Sequence, residues 1–379
     1  MDGRIDFSKP ADPAAAGVDP QKLIPLTELF DRQIAAGMHP AAQMVVLKDG
    51  RVIFERAGGQ YNGVPITPDT PFYTFSVTKA FTGACIHKLI DEGKVSLDAP
   101  VAEYWPGFGK RGKQTITIRQ VFLHLAGLPA VSRYDQIPLW PFWKLITASI
   151  AWMKPEYPPG TRMGYHAVTY GYILGEVVRR VSGLPIDRYF AQNFAGPLGM
   201  HNSWIKIPPS ELKRAPRLIS GCQDMNLLVN VFNLPVIRKA CIPAASLYST
   251  AREMAVFYQM LVEGGRYGGE QYLSPGTVEQ ATALGYRGED YINQRESLFA
   301  YGFHLGGRET TEVEGECSFG ARSTQHTFGH MGNRTCMAWG DARHRLVVAF
   351  TCNRLIGHEE SRQRWISLNN AVWDAIGVF

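Results

Sequence analysis

The chain has 379 residues, 45% of them apolar and 19% charged, with 39 basic and 34 acidic side chains for a formal charge of +5. That composition supports a buried core and argues against a disordered chain. The longest basic cluster is only Lys110-Arg111-Gly112-Lys113, which disfavours a nucleic-acid surface, and no apolar run approaches the ~20 residues of a membrane span.

Residues 1–20 read as a loose arm rich in Pro and Ala, without the apolar core of a secretory signal, so a cytoplasmic location is expected. Leu23, Ile24, Leu26, Leu29, Phe30 and Ile34 predict a helix over 21–36. Gln43–Leu47 and Arg51–Arg56 read as strands, and the Asp49-Gly50 between them as a type I′ hairpin turn. Phe72–Phe75 is β-like and leads into the strongest helix, Ser76–Glu92. Further helices are predicted over Thr169–Val181 and over Thr250–Glu263, the latter with a Thr250/Glu253 capping box. Toward the C-terminus, Tyr301–Leu305, Thr335–Trp339 and Leu346–Thr351 read as strands and Ser361–Ile376 as a closing helix.

Strands at both ends with helices between predict an α+β fold. One antiparallel sheet would be assembled from both ends of the chain and flanked by helices. Residues 1–75 and 245–379 would form the composite α/β sheet domain, and 76–244 an inserted, mostly helical domain. None of the six cysteines forms a C-x-x-C pair, so no zinc cage is expected, and the thiols are read as reduced and buried.

Gly107-Phe108-Gly109-Lys110-Arg111-Gly112 fits the pattern of a phosphate-binding glycine loop. It lacks a preceding strand and a following helix, and reads better as a surface turn. The pattern S-x-x-K occurs at Ser76–Lys79, Ser203–Lys206 and Ser210–Lys213, but only Ser76 opens a long apolar helix. Residues three apart share a helix face, so Lys79 can reach the Ser76 hydroxyl. A buried, neutral lysine could then accept the serine proton. Tyr165 follows the turn at Pro159-Gly160, and a phenol beside a cationic lysine would have a lowered pKa and could relay protons. Phe328-Gly329-His330-Met331-Gly332-Asn333 precedes a predicted strand. Its small residues allow close approach to backbone N–H donors that would serve an oxyanion.

The order Ser76-Val77-Thr78-Lys79, Tyr165-His166-Ala167, His330-Met331-Gly332 resembles the serine β-lactamase and penicillin-binding-protein superfamily. Within it, the chain is similar to the class C β-lactamase-related esterases, the family VIII carboxylesterases. His124-Leu125-Ala126-Gly127-Leu128-Pro129, Pro197-Leu198-Gly199-Met200 and Ser246–Ala251 also match family landmarks. The resemblance implies Ser76 as acylated nucleophile, Lys79 as its deprotonating partner and Tyr165 as general base and then acid. The N–H groups of Ser76 and Asn333 would form the oxyanion hole, with His330, Met331 and Gly332 lining the substrate.

Two departures from the family pattern point to neutral esters. Ala167 stands where β-lactamases carry Asn, and His330 where they carry a lysine that favours the drug's carboxylate. Trp140 and Trp143, in Leu139-Trp140-Pro141-Phe142-Trp143, are candidates for an acyl-pocket wall, with core packing as the other reading. The apolar stretch 226–237 reads as a lid or pocket wall, with a dimer contact or buried structure as alternatives. The function expected is a serine carboxylesterase acting on a small-molecule ester through an acyl-enzyme on Ser76, with no metal or organic cofactor. Neither nucleic acid nor a membrane is an expected partner, and a homo-oligomer is open. An acyltransferase using the same Ser-Lys-Tyr site, a β-lactamase or D-peptidase, and a non-catalytic scaffold of the same fold are the alternatives.

Overall fold

The structure is a computed structural model that describes residues 3–129, 134–307 and 318–377. The strands that matter are β1 (Ala41–Lys48), β2 (Arg51–Tyr61), β3 (Val64–Pro65), β4 (Tyr286–Asp290), β5 (Arg295–Phe299), β6 (His304–Leu305), β7 (Thr327–Gly332), β8 (Cys336–Asp341) and β9 (Leu346–Cys352). They form one antiparallel sheet in the order β3-β2-β1-β9-β8-β7-β6-β5-β4. The pairing of β1 with β9, from Ala42 opposite Cys352 to Lys48 opposite Leu346, joins the two ends of the chain. Asp49 and Gly50 have φ of 52° and 71°, the left-handed pair that a type I′ turn needs.

The helices used below are α1 (Ile24–Ala35), α2 (Thr78–Asp91), α3 (Trp143–Trp152), α4 (Thr169–Ser182), α5 (Asn226–Phe232), α6 (Ala251–Val262) and α7 (His358–Ala375). Alternation along the central strands gives the sheet two apolar faces. Met44, Val46, Val348 and Phe350 meet Leu26 and Phe30 of α1 and Trp365 and Val372 of α7. Val45, Leu47, Val347 and Ala349 join the larger core that contains α2, α4 and α6. Among the described residues no helix is long and apolar enough to cross a membrane.

The structure departs from the sequence expectations at several places. Thr250 caps α6 by accepting from the Glu253 N–H at 3.2 Å, but the Glu253 carboxylate does not complete the box. It takes the Asn202 N–H (2.8 Å) and the Ser203 hydroxyl (2.5 Å) instead. A complete box lies at Thr117 and Gln120, at the start of the short helix Ile118–Phe122. The Gly107–Gly112 segment is a turn with left-handed residues at Arg111 and Gly112, and Lys113 buries its amine against the carbonyls of Lys110, Ala151 and Met153. Cys85, Cys336 and Cys352 are buried thiols, Cys222 and Cys241 are partly exposed, and Cys317 lies outside the described residues.

Only His304–Leu305 of the expected Tyr301–Leu305 strand is extended in the sheet, and His330 sits inside β7 rather than before a strand. The β4–β5 hairpin was not foreseen. Its sequence, Tyr286-Arg287-Gly288-Glu289-Asp290 followed by Arg295-Glu296-Ser297-Leu298-Phe299, carries polar side chains on both faces and so gives no clean alternation.

Candidate active site

Ser76 sits in a single 3-10 turn, Phe75–Val77, between a short strand and α2. That strand, Phe72–Tyr73, pairs with Tyr248–Ser249 and fixes the turn against the segment that also supplies Ala244. Phe75 has φ of 45°, a left-handed conformation that costs a non-glycine residue roughly 1–3 kcal/mol. Tertiary contacts hold it there. The Thr78 hydroxyl donates to the Phe75 carbonyl (2.5 Å) and accepts from the Leu247 N–H (2.9 Å). The Phe75 ring packs edge-on against Tyr73 and Phe232, at 4.9 and 5.0 Å between centroids.

Lys79 is 1% exposed, and burial holds its amine well below the ordinary lysine pKa. Its Nζ lies 2.8 Å from the Ala167 carbonyl, 3.1 Å from the Ala244 carbonyl and 3.0 Å from Ser76 Oγ. The two carbonyls can only accept, so Lys79 donates to both, and once the amine has lost a proton its lone pair faces the Ser76 O–H. The backbone carbonyl of Ala167 thus supplies a partner for Lys79 at the motif that carries an alanine in place of an amide.

Tyr165 joins the same cluster. Its phenol is a hydrogen-bond partner of the Ser76 side chain, and Lys79 Nζ stands 4.8 Å from its ring centroid. The expected lowering of the phenol's pKa does not occur. Burial raises the Tyr165 pKa well above the usual phenol value and outweighs the lowering from its hydrogen bond with Ser76. The phenol is therefore neutral at rest, and the buried amine holds its proton more weakly than an ordinary lysine.

Two histidines to which the sequence reading gave no site role anchor the Tyr165 loop. The His166 N–H donates to His124 Nδ1 (3.0 Å), and the Leu128 N–H donates to His166 Nε2 (2.9 Å). The other ring nitrogen of His166 lies 2.6 Å from the Gly164 carbonyl, which fixes the tautomer with a proton on Nδ1. Burial pushes His166 down to about 3 and His124 well below the usual imidazole value. The signals were the His124–Pro129 stretch, read only as a family landmark, and the Tyr165-His166-Ala167 motif, of which only Tyr165 was given a role.

His330 points to the same side of the sheet, 6.4 Å from Tyr165 and 4.6 Å from His304 between ring centroids. Burial, with a smaller contribution from Lys79, pushes His330 down to about 3, so it is neutral at pH 7. Gly332 backs onto the nucleophile turn: a Cβ there would lie 2.1 Å from the Thr74 carbonyl oxygen. Asn333 follows at φ 30° in the turn to β8. The Met331 side chain packs into the core on the opposite face of the sheet, because neighbouring strand residues point oppositely, and only its carbonyl meets the His330 ring.

Trp140 packs on Phe232, which packs on Phe75, the residue before Ser76. Trp143 is turned toward α4. Its indole N–H donates to Glu176 (2.7 Å) and its ring meets Tyr172, as in the core-packing reading. In the 226–237 stretch, Val229, Phe232 and Ile237 face inward, while Leu227, Leu234 and Val236 are exposed.

The sequence profile of the Beta-lactamase family matches residues 27–372. The chain belongs to that family. It is a serine hydrolase of the β-lactamase fold. A penicillin-binding protein homologue from Caulobacter crescentus superposes with a TM-score of 0.82 at 30% identity, covering 95% of this chain and 99% of that one. A family VIII carboxylesterase superposes with a TM-score of 0.82 at 26% identity, covering 93% and 97%. The Mycobacterium tuberculosis protein described as esterase/beta-lactamase LipL is 28% identical over 326 residues, 77% of this chain and 71% of its own length.

Proposed function

We propose that this β-lactamase-family hydrolase is a carboxylesterase that cleaves neutral carboxylic esters through an acyl-enzyme on Ser76. The observation that carries the reading is the hydrogen-bonded Ser76–Lys79–Tyr165 cluster beside a neutral His330. Burial keeps His330 neutral at pH 7, so β7 offers no cation there to a substrate's carboxylate. The structural likeness to a family VIII carboxylesterase and the esterase/beta-lactamase description of the mycobacterial relative support it.

In the first step the Lys79 lone pair takes the Ser76 proton as Oγ adds to the ester carbonyl. The N–H groups of Ser76 and Asn333 stabilise the developing oxyanion. The tetrahedral intermediate collapses, the carbon–alkoxy bond breaks, and the departing alkoxide takes the Tyr165 phenol proton. The Lys79 ammonium then returns its proton to the phenolate. In the second step water adds to the acyl carbonyl and gives up a proton to the same pair. Ser76 leaves with a proton and the free acid departs. Trp140 and Phe232 would line the acyl chain.

The test is a panel of p-nitrophenyl esters with the wild type and Ser76→Ala, together with mass spectrometry after a phosphonate challenge. Turnover lost in Ser76→Ala and a single adduct on Ser76 are expected. An inactive wild type, or an adduct on another residue, refutes the proposal. Adding acceptor alcohols and following product partitioning distinguishes an acyltransferase. A chromogenic cephalosporin turned over as fast as the best ester would favour a β-lactamase instead.

A further inference from the structure

The hairpin that the sequence did not reveal reaches from the edge of the sheet to the Tyr165 loop. Its tip carries Asp290, which is 1% exposed. A buried carboxylate is strongly unfavourable unless its oxygens are satisfied. Here Oδ1 accepts from the Tyr165 N–H at 3.1 Å and from the Ile292 N–H at 2.9 Å, and Oδ2 accepts from the Asn293 side-chain amide. Two of these donors belong to the hairpin's own tip. The third comes from 125 residues earlier in the chain and is the backbone of the catalytic tyrosine itself.

The neighbouring contacts have the same direction. The Tyr291 N–H donates to the Met163 carbonyl at 3.0 Å, so Met163–Tyr165 lies alongside Asp290–Tyr291 as a short parallel bridge. Gly164 makes the approach possible, since a Cβ there would stand 2.4 Å from the Tyr157 hydroxyl and 3.3 Å from Ile292. The Arg162 guanidinium sits over the Tyr291 ring at 4.5 Å. Phe299, on the same hairpin, packs against Tyr165 with 6.3 Å between centroids. The Tyr165 loop is thus held from one side by His124 and from the other by the hairpin. Asp290 is the ionisable side chain that bonds Tyr165's own backbone.

We propose that Asp290 is a positioning residue for Tyr165, holding its backbone so that the phenol stays within reach of Ser76 and of the leaving group. The proposal rests on the acyl-enzyme reading above. It makes the β4–β5 hairpin part of the catalytic apparatus, although Asp290 touches no substrate.

The decisive experiment is a double-mutant cycle between Asp290 and Tyr165, read as the single-turnover acylation rate with a p-nitrophenyl ester. Asp290→Ala is expected to slow acylation about 100-fold, the effect of a displacement near 1 Å, with KM changed less than about threefold. Asp290→Asn keeps an oxygen that can accept both N–H groups but replaces charge-assisted bonds with weaker neutral ones, so it should recover only to about three- to tenfold below wild type. In a Tyr165→Phe background, Asp290→Ala should add less than about threefold, because its effect passes through the phenol. An Asp290→Ala penalty that persists in full in that background overturns the proposal. So does acylation by folded Asp290→Ala within threefold of wild type. Should Asp290→Ala not fold, Asp290→Asn decides: acylation three- to tenfold slower at unchanged KM upholds the proposal, and unchanged acylation overturns it. Near-normal acylation by Tyr165→Phe alone would instead refute the role of Tyr165, so the two failures are distinguishable.

Discussion

Replacing Gly332 by Ala tests how closely β7 must sit against the nucleophile turn. The added Cβ would lie 2.1 Å from the Thr74 carbonyl oxygen and 2.3 Å from Cys336 Sγ. The oxygen is backbone, and it already accepts from the Cys336 thiol at 2.7 Å and the Val77 N–H at 3.3 Å. Neither side can yield by a rotamer change, so strand and turn must separate by about 1.3 Å to reach the 3.4 Å of an ordinary contact. That gap would open between Ser76 and Asn333, the two proposed oxyanion donors. A 1 Å misplacement of a catalytic group slows reaction roughly 100-fold, or about 2.7 kcal/mol in the barrier. Gly332→Ala should therefore lower the acylation rate by about two orders of magnitude while KM changes little. Overpacking should reduce stability by about 1–3 kcal/mol. Stopped-flow acylation and urea unfolding measure the two effects. Acylation within threefold of wild type in the folded variant would show that Gly332 does not set the spacing of the oxyanion donors.

Acid should destabilise the protein steeply. Burial holds His39, His166 and His330 at about 3 and His87 at about 4, whereas unfolding returns each to about 6.5. A lowered folded pKa means the unfolded chain binds the extra protons, so stability is full above pH 7 and falls as pH drops from 6.5 toward 3. Each histidine should forfeit about 2 kcal/mol between pH 7 and 5. His39→Phe, at a site wedged against Phe30 and Phe350, should flatten that loss by about this amount in urea titrations, and an unchanged acid profile would refute its buried, neutral state. Lys79→Met should abolish most acylation. Because burial lowers the pKa of the folded lysine, wild-type stability relative to this variant should rise with pH between that lowered pKa and 10.5, and a flat difference would mean that the pKa is not lowered. Trp140→Ala should change the chain-length preference in the ester panel. Trp143→Phe should instead show mainly a stability loss near 1 kcal/mol from the missing Glu176 bond, and the reverse pattern would return Trp143 to the pocket.

Much of the frame was readable from residue pattern alone. The Asp49-Gly50 turn, the helical periodicity of α1, α4 and α7, and the β-branched runs of β1 and β9 are local features. Local sterics and amphipathicity fix them before any long-range contact forms. The hairpin bearing Asp290 was not legible, because an edge hairpin exposed on one side and packed on a loop on the other shows neither alternation nor a buried run. His330 was placed before a strand because Gly329 and Gly332 read as turn residues. In the sheet they are glycines because Trp339 and Thr74 leave no room for a side chain.

At the site, spacing made Ser76, Lys79 and Tyr165 candidates, and the order of the motifs, through the family resemblance, implied their roles. The direction of the Lys79 shift was expected of a buried lysine, and its burial between Ala167, Ala244 and Ser76 bears that direction out. The shift of Tyr165 was beyond the sequence's reach. Burial raises the phenol of Tyr165, against the expected lowering, and holds His330 neutral. Desolvation depends on everything packed around a group, from residue 74 to residue 332, and so it is decided by the tertiary structure.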